Sequence, residues 1–379
     1  MTLEARAREL KPHPGVSTLR FFAPIAGGIA FAFLLQLVIA PAAGKYWEKL
    51  LIDAGINIIL AVSLNMVNGF TGQFSIGHAG FMAIGGYAAG CLVYYGSWRW
   101  FGSAAIYGGF LGAGDLLYLA ACLVGGLVAA LCGWVVGLPS LRLRGDYLAI
   151  VTLGFGEIAR ILFLSDALEP WFGGTQGILG VPGIFGVSTI DVPILGWELR
   201  GPTLTYYPLL FLCIFAAFVA HRLKYSRAGR AWNAMREDED VAEATGVSTV
   251  NYKLLAFAMG AAIGCLGGAV FSTHLQSVFP GSFNILVSIT VLAIVILGGM
   301  GSIPGVVVGA LALIGLPELL REFAEFRLLV YGGVLVIMML LRPEGLVPDV
   351  ARRRELHEEG ADPIGGAGAL GTPAGGGAA

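Results

Sequence analysis

Apolar residues in this chain do not alternate with polar ones; they gather in long runs separated by short polar stretches. A helix rises about 1.5 Å per residue, so roughly 20 apolar residues span the ~30 Å hydrocarbon core of a bilayer. Runs of that kind lie at about 21–40, 50–68, 74–95, 116–138, 146–165, 206–222, 252–275, 284–298, 303–320 and 327–341. They predict an all-α, polytopic transmembrane helical bundle of about ten spanning helices. The 284–298 and 327–341 runs are short and extend into flanking residues. Residues 103–113, apolar but rich in Gly and Ala, read as an interfacial or re-entrant segment. The run 21–40 exceeds the apolar core of a signal peptide, about 7–15 residues, so it reads as an uncleaved first helix.

Composition supports a lipid-facing protein. Of 379 residues 56% are apolar and 13% charged, against about 25% charged in soluble domains. The 57 glycines suit close helix packing. Gly260, Gly264 and Gly268 are spaced by four, as are Gly301, Gly305 and Gly309, and Gly86 with Gly90. Each set predicts a groove for a neighbouring helix. A net charge of -2 argues against a nucleic-acid partner. The cysteines, Cys91, Cys122, Cys132, Cys213 and Cys265, sit in apolar runs with no C-x-x-C pair, so neither a disulfide framework nor a metal site is implied. No catalytic constellation and no cofactor motif is present.

Basic residues set the orientation. Arg6, Arg8, Lys11 and Arg20 precede the first run. Arg142, Arg144, Arg222, Lys224, Arg227, Arg230, Arg236, Lys253, Arg342 and Arg352–Arg354 fall in alternate connections. That imbalance places both termini in the cytoplasm of a multi-pass chain. The reading divides it into a cytoplasmic segment 1–20, a membrane domain 21–345, and a Gly/Ala-rich cytoplasmic tail 346–379 expected to be disordered. Within the membrane domain, residues 166–205 form an outer loop and residues 223–251 a charged inner one.

Two stretches carry candidate chemistry. The first, Asn65–Gly90, crowds Asn65, Asn68, Thr71, Gln73, Ser75 and His78 among glycines at membrane depth. Unpaired polar groups in lipid cost several kcal/mol, so the segment must turn at the surface, lie inside the protein, or line a wet cavity. A glycine-rich break at Gly69–Gly80 would expose helix ends to a passing solute. Asn65, Asn68, Gln73, Ser75, His78, Thr152, Thr175 and Gln176 are therefore candidates for a translocation path. Glu157 joins them. It lies three residues from Arg160 in an apolar run and shares its helix face. The two read either as a mutual ion pair near the interface or as part of the path.

The second stretch, Ser226–Lys253, is a dense run of charges from Arg227 to Glu243 built of good helix formers. Ala228, Trp232, Met235 and Ala242 fall near one face of a predicted helix, and Gly246 is placed to end it. It reads as a solvated connector or as a docking helix for a soluble partner.

The stretches LNMVNGFTGQFSIGHAGFMAIGGY, LRLRGDYLAIVTLGFGEIAR (Leu141–Arg160) and GGTQGILGVP (Gly173–Pro182) occur in that order. KLLAFAMGAAIGCLGGAV (Lys253–Val270) and VILGGMGSIPGVVVGA (Val295–Ala310) follow. Together they resemble LivM-type permease subunits of branched-chain amino acid ABC importers, over roughly residues 50–345. The resemblance implies a type II-like importer permease in the bacterial inner membrane, translocating Leu, Ile or Val. It also implies cytoplasmic ATPase subunits, a second related permease subunit and a periplasmic amino-acid-binding protein. Asp240, Val241, Ala242 and Gly246 fall on the EAA-x-x-x-G docking pattern of such permeases, with Asp for Glu and Val for the middle Ala. Trp232, Arg236, Glu237, Asp238, Asp240, Ala242 and Gly246 are the implied ATPase-coupling residues. The chain is not expected to be an enzyme, since it has no G-x-x-x-x-G-K-[ST] phosphate loop. A urea or short-amide permease of the same family, an ion-coupled secondary transporter and a passive channel are the alternative readings.

Overall fold

The computed structural model describes residues 49–102, 113–183 except 142 and 144, 189–192, 197–200 and 202–319, with isolated positions between 329 and 347. The expected first helix 21–40, the segment 1–20, the residues 103–112, most of the run 327–341 and nearly all of the tail lie outside the described residues.

Ten helices carry the described fold. They are α1 (Lys49–Phe70), α2 (His78–Phe101), α3 (Ala113–Ser140), α4 (Asp146–Leu164) and α5 (Pro202–Lys224). After these come α6 (Arg227–Glu237), α7 (Glu239–Ala244), α8 (Thr249–Leu275), α9 (Ile285–Gly298) and α10 (Ile303–Leu319). Six stretches among the described residues are apolar and long enough to cross a bilayer: Lys49–Phe70, Gly114–Pro139, Asp146–Leu164, Thr205–Lys224, Thr249–Leu275 and Pro280–Gly298. The expected run 74–95 is displaced. Residues 72–77 are neither helix nor strand, and α2 starts only at His78 and continues to Phe101.

α1 and α8 form the centre of the bundle. Both are mostly buried, whereas α3 buries one face and presents Leu116, Leu119, Leu123, Leu127, Leu131 and Trp134 outwards. That exposed stripe at three- and four-residue spacing is a lipid- or subunit-facing surface. α8 packs against α3 and α2 through small residues. A Cβ on Gly268 would overlap the Met82 carbonyl, one on Gly85 the Cys265 carbonyl, and one on Gly133 would lie 2.6 Å from the Phe257 carbonyl. Backbones in lipid gain little from burying apolar side chains against each other, so such close approach supplies the packing energy. The expected groove at Gly301, Gly305 and Gly309 is shifted. Gly301 sits in the α9–α10 turn with φ +88°, and Gly298, Gly305 and Gly309 make the close helix contact.

The loop expected at 166–205 contains short turns and two small antiparallel pairings. β1 (Ile178–Leu179) pairs with β4 (Ser277–Val278), just after α8, while β2 (Thr189–Val192) pairs with β3 (Trp197–Arg200). Phe163 and Phe172 stack around Tyr87 and pin the turn Glu169–Phe172 to α2 and α4. This loop and the charged segment α6–α7 lie at opposite ends of α5.

Candidate functional site

The site is built on the break between α1 and α2. α1 ends in a wide π-turn, Met66–Phe70, and the chain then runs without helix or strand to His78, where α2 begins. Backbone outside a helix, inside a membrane protein, must find partners other than its neighbours along the chain. Asn68 supplies two of them: its Nδ2 donates to Ser75 O and its Oδ1 accepts from Ser75 N, both at 3.2 Å. Thr152 Oγ1 on α4 accepts from Ile76 N at 3.0 Å. Ser288 Oγ on α9 accepts from Ala79 N at 2.9 Å, in the first turn of α2. His78 is buried beside α1, its Nε2 hydrogen-bonded to Ser63 Oγ and its ring edge-on to Phe81.

Asn68, Ser75, His78 and Thr152 thus converge on the broken helix: the Asn68 and Thr152 side chains hold its main chain at Ser75 and Ile76, while the His78 ring is bonded to Ser63 of α1. Asn65 lies one turn away, where its Oδ1 accepts from Gly301 N at 2.8 Å. Asn65 Nδ2 and Gln73 Oε1 are buried without a hydrogen-bond partner. Thr175 and Gln176 are exposed on the loop at the opposite end, apart from this cluster.

A pocket opens beside the break. Its walls are Ile76 and Ala79 from the re-entering chain, Leu153, Gly156 and Glu157 from α4, and Phe283, Asn284, Ile285 and Ser288 at the start of α9. Glu157 is half-exposed and ion-paired with Arg160, whose Nε donates to Glu157 Oε1 at 2.9 Å. Asn284 caps α9 by accepting from Val287 N at 3.3 Å. The pocket therefore combines apolar walls, a carboxylate and the positive end of a helix. Ser63, Asn284 and Ser288 were not anticipated. Ser288 is a lone hydroxyl in an apolar run, and its role is visible only once α9 lies against α2.

The charged segment forms the floor below the π-turn. Instead of the single helix expected, it is two, because Asp238 is extended (φ -154°, ψ 117°) and caps α7 by accepting from Asp240 N and Val241 N. Gly246 ends α7 as expected, with φ +88° and Val247 N donating to Ala242 O at 3.1 Å. Trp232 is fully buried, stacks on Phe70 with ring centres 6.4 Å apart, and donates from Nε1 to Tyr252 O at 2.8 Å. Ala242 is also buried, and Glu239 is ion-paired with the buried Lys253 of α8. Arg236 turns inwards: its Nη1 donates to Gly69 O at 2.9 Å. Lys224, at the end of α5, donates to Gly301 O at 2.7 Å and lies 5.6 Å from the centre of the Phe70 ring. Glu237, Asp238, Asp240 and Gly246 are exposed. The proposed coupling residues thus divide into an inner set that grips the bundle and an outer set open to a partner.

Residues 46–341 match the family model described as the permease component of a branched-chain amino acid transport system. The chain belongs to this family. As a permease it is 41% identical over 308 residues to the high-affinity branched-chain amino acid transport system permease protein LivM of Salmonella typhimurium. That match covers 77% of this chain and 68% of the relative. It is 40% identical to LivM of Escherichia coli, covering 77% and 68%, and 26% identical to LivH of the same organism, covering 78% and 92%. No solved structure gives a significant match to the permease.

Proposed function

We propose that this permease is one half of a membrane pore through which separate ATPase subunits drive Leu, Ile or Val inwards. Its other half would be a related permease subunit, and a periplasmic binding protein would deliver the cargo to the outer loops. Both termini would face the cytoplasm. The observation that carries the reading is the seat of α6–α7 directly beneath the broken helix, with Glu237, Asp240 and Gly246 on its exposed side, where an ATPase would dock. The pocket beside the break suits a branched zwitterion in transit. Leu153, Phe283 and Ile285 offer apolar contact, while Glu157 offers a carboxylate for the ammonium group. Weak, transient contacts are what a conduit needs, since it must also release what it binds.

The test is uptake by vesicles containing both permease subunits and the ATPases, supplied with binding protein and ATP. Saturable leucine uptake that stops without ATP is the expected outcome. Uptake of urea in place of leucine would favour the short-amide reading, and uphill uptake by this subunit alone would defeat the proposal. In the same vesicles Glu157→Gln should lower leucine uptake roughly tenfold, the order of a ~1.5 kcal/mol hydrogen bond to a charged group. The complex should still assemble. Parental uptake by this variant would remove Glu157 from the path.

A further inference from the structure

We propose that Lys224, where α5 runs into the docking segment, and Arg236 within that segment are positioning residues that hook it to two main-chain turns, one behind each moving wall of the pocket. This rests on the ATP-driven reading above.

The first hook is Arg236 on Gly69 O. Gly69 lies in the last turn of α1, where carbonyls lack partners within the helix and attract a cation. The neighbouring residue Asn68 holds Ser75 at both main-chain groups, and Ile76 beyond it lines the pocket. A pull on the π-turn thus reaches the wall formed by the re-entering chain. The second hook is Lys224 on Gly301 O. Gly301 belongs to the tight turn that ends α9, and α9 is an unbroken helix of 14 residues. Its far end carries Asn284, Ile285 and Ser288 in the opposite wall. A shift of the turn therefore moves that wall as a rod.

The two turns are also joined to each other by Asn65 Oδ1, which accepts from Gly301 N. No side chain fits between them, since a Cβ on Gly69 would lie 2.5 Å from Gly301 N. The break is incompletely bonded: Asn65 Nδ2, at the joint, and Gln73 Oε1, past the π-turn, are buried without hydrogen-bond partners. Buried amide groups left unpaired are costly, and a rearrangement that pairs them supplies a second stable position for the joint. Charged donors to carbonyls are short, strong links suited to transmit such a shift.

The experiment uses the whole transporter in vesicles, with Lys224→Met, Arg236→Met and the conservative Lys224→Arg. Two quantities are read: leucine moved per ATP hydrolysed, and amide hydrogen exchange of residues 66–77 and 299–302 with and without trapped nucleotide. In the parent, trapping should change exchange in both segments. Because the two turns are joined, Lys224→Met should reduce the change at 299–302 more than that at 66–77, Arg236→Met should do the reverse, and each should lower leucine per ATP about fivefold. Lys224→Arg should restore both readouts. Parental coupling in both methionine variants would overturn the proposal, as would equal loss of the two exchange responses in each of them. If a methionine variant fails to assemble, Lys224→Arg and the parent still decide, because unchanged exchange at 299–302 on trapping in both contradicts the hook. A parent that moves no leucine with ATP defeats the underlying transport reading instead, a result distinct from normal uptake without the paired responses.

Discussion

Trp232→Ala is expected to detach the docking segment from the bundle while leaving the spanning helices folded. Trp232 is fully buried, and it bridges two elements far apart in sequence: its ring stacks on Phe70 and its Nε1 donates to Tyr252 O. Truncating a buried Trp to Ala typically costs about 3–5 kcal/mol in contacts and cavity. α6 has 11 residues and α7 six, and helices that short are marginal in water without tertiary contacts. The loss should therefore be local. Proteolysis between Arg227 and Glu243 should accelerate at least a hundredfold, and ATP-driven uptake should disappear. Trp232→Phe should keep most of both, since it retains the stack and loses only one hydrogen bond. Slow parental proteolysis in Trp232→Ala would mean that the segment is held by its ion pair and cations alone.

Asn68→Leu should be nearly as damaging, by a different route. The replacement is apolar and of similar size, so packing is little changed, but Ser75 N and Ser75 O both lose their partner. Each unpaired buried group costs about 1–3 kcal/mol, so the variant should lose about 2–6 kcal/mol. Thermal unfolding in detergent should occur well below the parental temperature, and uptake should fall below a tenth. Ser75→Ala is the informative contrast, because Ser75 contributes main-chain atoms to this pair and its hydroxyl is not part of it. That variant should unfold close to the parental temperature. Equal damage from both would show that the Ser75 hydroxyl, and not the amide clip, holds the re-entering chain.

Much of this arrangement is legible in the residues themselves. Long apolar runs specify membrane helices because nothing else satisfies the backbone in lipid, and eight of the ten expected runs correspond to helices among the described residues, wholly or for most of their length. The crowding of Asn, Ser and Gly between Asn65 and Gly80 marks a break, since such residues are costly in an unbroken span. Charge density and the position of Gly246 mark a segment outside the membrane that ends where it does.

Roles were harder to assign than places. The amides and hydroxyls of the break suggested a polar lining for cargo, yet Asn68 and Thr152 bond to the non-helical main chain at Ser75 and Ile76. A sequence shows that a polar group needs a partner but not which one. Lys224 was one base among many in the charged loop, and Arg236 a candidate for the partner's surface. Only the meeting of α5, α6, the π-turn and the α9–α10 turn turned both cations inwards, because hydrogen bonds between residues 77 and 167 positions apart depend on how helices pack. Local composition decided which segments enter the membrane and which stay out. Tertiary packing decided which carbonyls were left at helix ends, and so which charged side chains were drawn in to satisfy them.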